Sequence, residues 1–433
     1  MLSREDNELL TQTGPGTPMG ELFRRFWLPV MLSEEIPAPD CTPVKVRVLG
    51  EDLIAFRDSS GNPGLVDAYC PHRGAPMFFG RNEDAGLRCV YHGWKFDVSG
   101  QCVELPNVPE GETHKERVRI PAYPVHDRAG MIFAYLGPAE KQPPFPEHEW
   151  IDLPEDRRYV RKYLLQCNYK QAMEGDYDGS HVAFLHSTLD SNISNPGNRI
   201  REGQISVRNK TPRYVDMTDT DYGMMFVTEG VQDDGRAVIN VGHWLMPCAS
   251  TAGIAGPNTQ STNIRVPIDD NHCWMYRFRW SDDPFTQNQV FEDRYGGYTY
   301  PEQIPGQYLS KANKDNDYLI DRIAQKNISF TGIGPFPIQD LAMMEDQRGS
   351  IMDRSKEHLV SSDSAIIRVR QHLLNAARAL RQGVEPVEPW RPGAYRVRTV
   401  RTMTVPEGQS KEAVIATAKE LALRNQDDAV HAR

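Results

Sequence analysis

Residues 69–77 read YCPHRGAPM, and after a short gap residues 89–96 read CVYHGWKF. Each stretch sets one cysteine just ahead of one histidine, Cys70 with His72 and Cys89 with His92, among glycines and aromatic residues. The chain has only seven cysteines, so two of them in this repeated arrangement mark a metal centre. Two cysteines and two histidines can hold tetrahedral zinc, or a two-iron, two-sulfur (2Fe-2S) cluster with both histidines on one iron. A sulfide-bridged iron pair needs two separate loops closing over it, each giving one ligand to each iron, and sixteen residues separate His72 from Cys89. A zinc finger more often places both cysteines in one knuckle and both histidines on one helix. Gly74 and Gly93 are expected to let backbone amides approach the sulfurs, a contact that raises a cluster's reduction potential. On spacing alone, structural zinc stays open.

Outward from these loops, 433 residues exceed one ordinary core and predict two domains with terminal extensions. Charged residues make up 25% and hydrophobic ones 39%, and a formal net charge of -10 argues against a nucleic-acid partner or an anionic membrane surface. No apolar run reaches the ~18 residues of a membrane span. The start, MLSREDNELL, carries charges where a secretory signal needs an apolar core, so the reading is cytoplasmic. Cys41, Cys102, Cys167, Cys248 and Cys273 lack regular spacing and read as free, buried thiols.

Residues 20–28, GELFRRFWL, have helical apolar spacing and read as a short leading helix within an N-terminal helical extension, 1–40. VKVRVLGEDLIAFRD then reads as a β-hairpin turning at Gly50-Glu51-Asp52, and GLVDAYC, KFDVSG and GMIFAYLG continue as short strands. The proline-rich GPAEKQPPFPEHEW, residues 137–150, marks a boundary. It separates an all-β domain, 41–150, from a mixed domain, 151–433, that includes a C-terminal helical extension. There, YGMMFVTEG and HCWMYRFRW predict an antiparallel sheet. SSDSAIIRVRQHLLNAARALRQG predicts a helix with Asp363 as N-cap, a stripe of Ile366, Val369, Leu373, Ala377 and Leu380, and Gly383 as its stop. GPGTPMG follows no strand and has the wrong spacing for a dinucleotide loop, and no nicotinamide or flavin site is legible.

A second constellation lies in NYKQAMEGDYDGSHVAFLH, residues 168–186, with Asp178, His181 and His186. On a helix Asp178 and His181 share a face, whereas His186 sits well round the cylinder. One metal can engage both imidazoles only if the helix bends or ends between them, and Gly179-Ser180 suits such a break. Two histidines and one carboxylate leave open positions for oxygen on a non-haem Fe(II). A pair of histidines with no motif around it reads as readily as satisfied core residues. The carboxylate must come from elsewhere: PIQDLAMMEDQRGSIMDRSKEHLVSSD offers Asp340, Glu345, Asp346, Asp353, Glu357 and Asp363, and spacing does not choose among them.

The patterns C-P-H-R-G and C-x-Y-H-G-W-x-F-D resemble the Rieske signature of aromatic-ring-hydroxylating oxygenases. D-x-x-H-x-x-x-x-H resembles their iron motif, and Q-D-x-A-M followed by D-R-S-x-E-x-L and S-D is similar to the phthalate dioxygenase-like members built from one kind of subunit. The resemblance implies an α+β fold, an N-terminal all-β Rieske domain followed by a helix-grip domain in which an antiparallel sheet wraps a long helix. It implies that Cys70, His72, Cys89 and His92 hold the 2Fe-2S cluster and that His181, His186 and Asp340 hold a mononuclear Fe(2+). By the same carry-over, Asp178 bridges a neighbouring subunit's Rieske histidine, matching His92, to an iron histidine, within a head-to-tail homotrimer or stacked trimers. Electrons would come from an NADH-dependent reductase carrying flavin and an iron-sulfur centre, and O2 would react with a bound aromatic acid of phthalate or phenoxybenzoate type. The product would be a cis-dihydrodiol, or a hydroxylated or O-demethylated ring. A carboxylate substrate calls for a cation, and Arg208, Arg213 and Arg236 are candidates. Asn240 stands where carboxylate-binding relatives carry arginine, which favours a different or larger aromatic over phthalate itself. Aryl-ether O-demethylation within the family, a Rieske electron carrier without oxygenase activity, and a zinc-stapled binding module are the competing readings.

Overall fold

The computed structural model describes residues 2–109, 115–187, 189, 212–232, 235–251, 259–287, 289–290 and 300–431. The first part is built from short strands: β1 (Trp27–Leu32), β2 (Val44–Val48), β3 (Glu51–Arg57), β4 (Pro63–Asp67), β5 (Arg81–Glu83), β6 (Gly86–Arg88), β7 (Lys95–Phe96), β8 (Cys102–Glu104), β9 (Val125–Arg128) and β10 (Met131–Tyr135). They form three small antiparallel sheets, β1-β10-β9, β2-β3-β4 and β5-β6-β7-β8. The helix expected over 20–28 covers only Pro18–Phe23, capped by the Thr17 side chain, and Trp27 and Leu28 begin β1 instead. All six residues of β1 are buried, and an apolar run buried on both faces carries no periodicity that separates strand from helix. A strand of the first sheet thus comes from within residues 1–40 and pairs with β10.

The hairpin turn lies earlier than expected, on Leu49 (φ 49°) and Gly50 (φ 77°), so that Asp52 already pairs with Arg47. Two successive positive φ angles make the tight mirror-image turn that matches strand twist. Its two amides donate to the Pro267 and Ile268 carbonyls, each at 2.9 Å, tying the hairpin tip to the second part of the chain.

That second part is an eight-stranded antiparallel sheet among the described residues. It comprises β11 (Arg158–Leu165), β12 (Arg213–Thr220), β13 (Gly223–Val231), β14 (Ala237–Leu245), β15 (Ala249–Ser250), β16 (Thr259–Pro267), β17 (Cys273–Ser281) and β18 (Val400–Thr404). The order is β11-β17-β16-β15-β14-β13-β12, with β18 beside β14. Along β17 the even residues Trp274, Tyr276, Phe278 and Trp280 share one face, where Phe278 stacks on Trp150 at 4.1 Å. The odd residues share the face of Arg265, which pairs with Asp176 just beyond the enclosed helix.

That helix, Tyr169–Glu174, is buried at every position although it carries Lys170, Gln171 and Glu174. Asn168 caps it, accepting from the Lys170 amide and donating to the Thr11 and Asp270 carbonyls. Burial raises the Glu174 carboxyl, but Arg354, Arg370 and Lys170 outweigh it and hold the group below the usual carboxylate range. Arg370 donates to both Glu174 oxygens at 2.7 and 2.9 Å and also pairs with Glu357.

Arg370 belongs to the Ser364–Arg381 helix, which buries the expected Ile366, Val369, Leu373 and Ala377 and leaves Leu380 partly covered. Gly383 (φ 84°) ends it. Asp363 does not cap through its side chain: its carboxylate accepts from the Val360 amide at 2.7 Å and closes the preceding turn. Among the described residues no helix is long and apolar enough to cross a membrane. Arg370→Met, which takes from buried Glu174 its bidentate partner and from buried Glu357 its arginine, is expected to cost about 3–5 kcal/mol in urea unfolding.

Candidate metal centres

The two cysteine-histidine loops share one backbone plan. In the first, the Cys70 amide donates to the Ala75 carbonyl and the Gly74 amide to the Cys70 carbonyl, both at 2.8 Å. In the second, the Cys89 amide donates to the Trp94 carbonyl at 2.8 Å and the Gly93 amide to the Cys89 carbonyl at 2.9 Å. Gly74 (φ 71°) and Gly93 (φ 77°) occupy the left-handed region. Their amides close the turns on the cysteine carbonyls, and the backbone amide that approaches the Cys70 sulfur is that of His72, inside the same turn.

Cys70 and Cys89 are buried in a pocket with Ile54, Phe56, Met77 and Phe96. Burial, and then the neighbouring Cys89, push the Cys70 thiol up to about 11. A bound metal reverses that by taking the thiolate outright. The His72 and His92 rings lie 4.6 Å apart between centroids, and Trp94 stacks on His72 at 4.3 Å. His72 Nδ1 is buried without a hydrogen-bond partner, the state of a ligand atom awaiting its metal. Two paired turns of equal geometry, each giving one sulfur and one nitrogen, suit a 2Fe-2S cluster better than a single zinc.

The second centre forms where the buried helix stops. After Glu174 comes one tight turn, Gly175–Tyr177, and Asp178 is extended (φ -96°, ψ 100°). Asp178 Oδ1 accepts from the Ser180 amide at 2.8 Å and the Ser180 hydroxyl at 2.5 Å, which restarts the chain into a second helix, Val182–Leu185. Asp178 and His181 therefore do not share a continuous helix face. His181 and His186 flank that four-residue helix at its two ends, and their rings converge to 5.1 Å between centroids. Asp340, on the Phe336–Glu345 helix, meets them: its Oδ1 lies 3.2 Å from His186 Nε2 and 3.7 Å from His181 Nε2.

Ligand atoms of His181, His186 and Asp340 all fall within 4.8 Å of one another, so the three can hold one metal ion. His186 Nε2 is buried and without a hydrogen-bond partner. Burial would raise Asp340, but His186, His181 and Arg277 bring its carboxyl below the usual value. Asp178 Oδ2 sits 3.6 Å from His181 Nδ1, and its carboxyl, raised by burial but lowered more by His181 and Ser180, titrates at about 2.

Most of the other carboxylates in that stretch have structural partners. Glu345 accepts from the Gln166 amide and the Tyr318 hydroxyl, Asp353 from Ser355, and Glu357 binds Arg370. Asp363 serves Val360, and Asp346 is exposed at the helix end.

The arginine candidates lie elsewhere. Arg208 falls outside the described residues. Arg213 is exposed on β12 and pairs with Glu229 at 2.9 Å, Arg236 is exposed before β14, and the Asn240 amide oxygen accepts from the Thr402 amide, holding β18. None of these three is among the groups that act on Asp340. Arg277 is, and the sequence reading missed it: it stands on β17 opposite Arg161 on one side and Asn263 on the other, donating to the Asn263 side chain at 3.0 Å. Phe336 and Gln339, which contact the His186 ring, were missed as well. Only their closeness to Asp340 in sequence signals either.

Comparison with known proteins agrees with both halves. A Rieske [2Fe-2S] domain model matches residues 26–124, and a model described as LigXa C-terminal domain like matches residues 134–404. The phthalate 4,5-dioxygenase oxygenase subunit of Pseudomonas putida is 35% identical over 387 residues, 88% of this chain and 88% of that one. The 3-chlorobenzoate-3,4-dioxygenase oxygenase subunit of Comamonas testosteroni is 36% identical over 400 residues, 88% of this chain and 89% of that one. In fold alone the chain is similar to a Pseudomonas putida CBB5 NdmA variant solved with theobromine, at 17% identity and a TM-score of 0.59, covering 90% of this chain and 99% of that one. A chain alike to such oxygenase subunits through both of its halves belongs with them: it is a Rieske non-haem iron oxygenase, a terminal subunit of the aromatic dioxygenase and monooxygenase type, with a 2Fe-2S domain followed by a mononuclear-iron catalytic domain.

Proposed function

We propose that this subunit hydroxylates an aromatic carboxylate with O2, drawing electrons from an NADH-dependent reductase. Cys70, His72, Cys89 and His92 hold the cluster in this reading, and His181, His186 and Asp340 hold the iron. When bound, the two metal groups supply one-electron transfer and oxygen activation. The observation that carries the reading is the convergence of two histidines and one carboxylate from separate helices on a single point.

The substrate class rests on charge. Arg161 and Arg277 are directly opposite on neighbouring strands, on the face that also carries buried Tyr163, and Arg277 acts on Asp340. Arg277, acting on Asp340, suits a carboxylate held there while its ring lies over the metal pocket. The two relatives above, named for phthalate and chlorobenzoate, act on aryl acids of this kind.

Asp178 is assigned the bridge between subunits. It is anionic, partly exposed, and adjacent to His181. Tyr69, Phe79, Val90 and Tyr91 leave large apolar surface exposed around the cluster loops, a rim suited to burial against the next subunit of a head-to-tail trimer.

Substrate-dependent O2 and NADH consumption across a panel of aromatic acids, with a suitable reductase, tests the reading; no coupled consumption with any of them would sink it. Iron analysis should give about three atoms per chain, falling to about two in His186→Ala with the reduced Rieske paramagnetic signal unchanged. Asp178→Asn should keep both metals yet lose nearly all coupled turnover. Arg277→Leu should raise KM for an aryl acid about 10–100-fold, as loss of a charged hydrogen bond does, while sparing a neutral aromatic of similar shape.

A further inference from the structure

His186 is gripped on one side by a single helix. Phe336, Gln339 and Asp340 stand at positions i, i+3 and i+4 of the Phe336–Glu345 helix and so project from one face. The Phe336 ring stacks on the imidazole, with centroids 3.7 Å apart and planes inclined by 25°. The Gln339 Oε1 lies 2.7 Å from His186 Nδ1, and Asp340 Oδ1 lies 3.2 Å from His186 Nε2. Both His186 and Gln339 are fully buried.

The amide of Gln339 has no freedom to turn over. Its Nε2 donates to the Ile333 carbonyl at 3.1 Å and the Gly334 carbonyl at 3.3 Å, two acceptors that an amide oxygen would repel. The oxygen must therefore face His186 and can only accept, so His186 Nδ1 must carry the proton. With the proton there, Nε2 is the nitrogen left to serve a metal, and it faces the Asp340 carboxylate that would share it, 3.2 Å away.

We infer that Gln339 is a positioning residue that fixes His186 in its Nδ1–H form and so presents the Nε2 lone pair to the metal. The inference rests on His186 being an iron ligand. His181 is held differently, since its Nδ1 faces Asp178 across 3.6 Å, beyond hydrogen-bond length. His186 is thus the locked ligand and His181 the compliant one.

The test uses the full chain with its Rieske cluster intact and the mononuclear iron removed by mild chelation. Fe(II) is titrated back anaerobically against a competing chelator, and Co(II) is then bound in its place for its ligand-field absorption. Gln339→Leu is expected to weaken Fe(II) binding about 10–100-fold, as loss of a ligand's hydrogen-bond partner does, and to shift the Co(II) bands. Gln339→Glu, protonated on the oxygen that meets the Ile333 and Gly334 carbonyls, keeps both an acceptor toward Nδ1 and a donor toward those carbonyls and should restore the parent bands, with Fe(II) affinity within about threefold of the parent. If Gln339→Leu binds Fe(II) as the parent does while His186→Ala has lost it, the positioning role is wrong and the iron assignment stands. If His186→Ala keeps its iron, the assignment beneath it fails. Equal loss in the Leu and Glu variants, with matching falls in Tm, would reduce Gln339 to a packing residue and overturn the inference.

Discussion

The catalytic half depends on a carboxylate that has no business being buried unless three cations come with it. Glu174 sits at the end of a helix enclosed by the sheet, and Arg370, Arg354 and Lys170 neutralise it from the Ser364–Arg381 helix, the segment before it, and the helix's own preceding turn. Desolvating such a group is costly, and the attraction recovers that cost only where geometry and hydrogen bonding are near complete. The bidentate grip of Arg370 meets that condition. Because the next residues are the Gly175–Tyr177 turn and Asp178, fixing Glu174 also fixes where the helix must stop. The stop that precedes the short helix carrying both histidines at its ends is therefore anchored by an ion network that touches neither of them.

Beyond the break, Asp178 has two separate tasks on its two oxygens. Oδ1 accepts from Ser180 and restarts the chain into the helix between the histidines, while Oδ2 faces His181. A residue that both shapes the loop and lies beside a ligand couples the position of His181 to whatever approaches Asp178 from outside. His186, on the other side, is held by the Gln339 side chain and the Phe336 ring.

What the sequence disclosed follows from how local each feature is. The Cys70 and Cys89 turns are complete within six residues each, so their cysteines, histidines and glycines were legible as text. The irregularity expected between the histidines is absent: Val182–Leu185 is helical, and the chain breaks before His181, at Asp178. Asp340 was reached only through resemblance, since six carboxylates in one stretch look alike until partners such as Tyr318 and Arg370 are seen to occupy the others. Arg277 was invisible because its neighbours, Arg161 and Asn263, are set by strand register, which no window of sequence encodes. The strand at Trp27 was misread as helix for a related reason: burial on both faces erases the period that distinguishes the two.

The two metal sites therefore differ in what maintains them. The Rieske loops carry their own hydrogen-bonded turns and a small core of their own, so their ligand geometry is set largely within residues 54–120. The candidate iron pocket gathers side chains from residues 181 to 340, and the Arg370, Gln339 and Phe336 contacts hold the segments around it. A site assembled from distant segments is only as ordered as the packing between them.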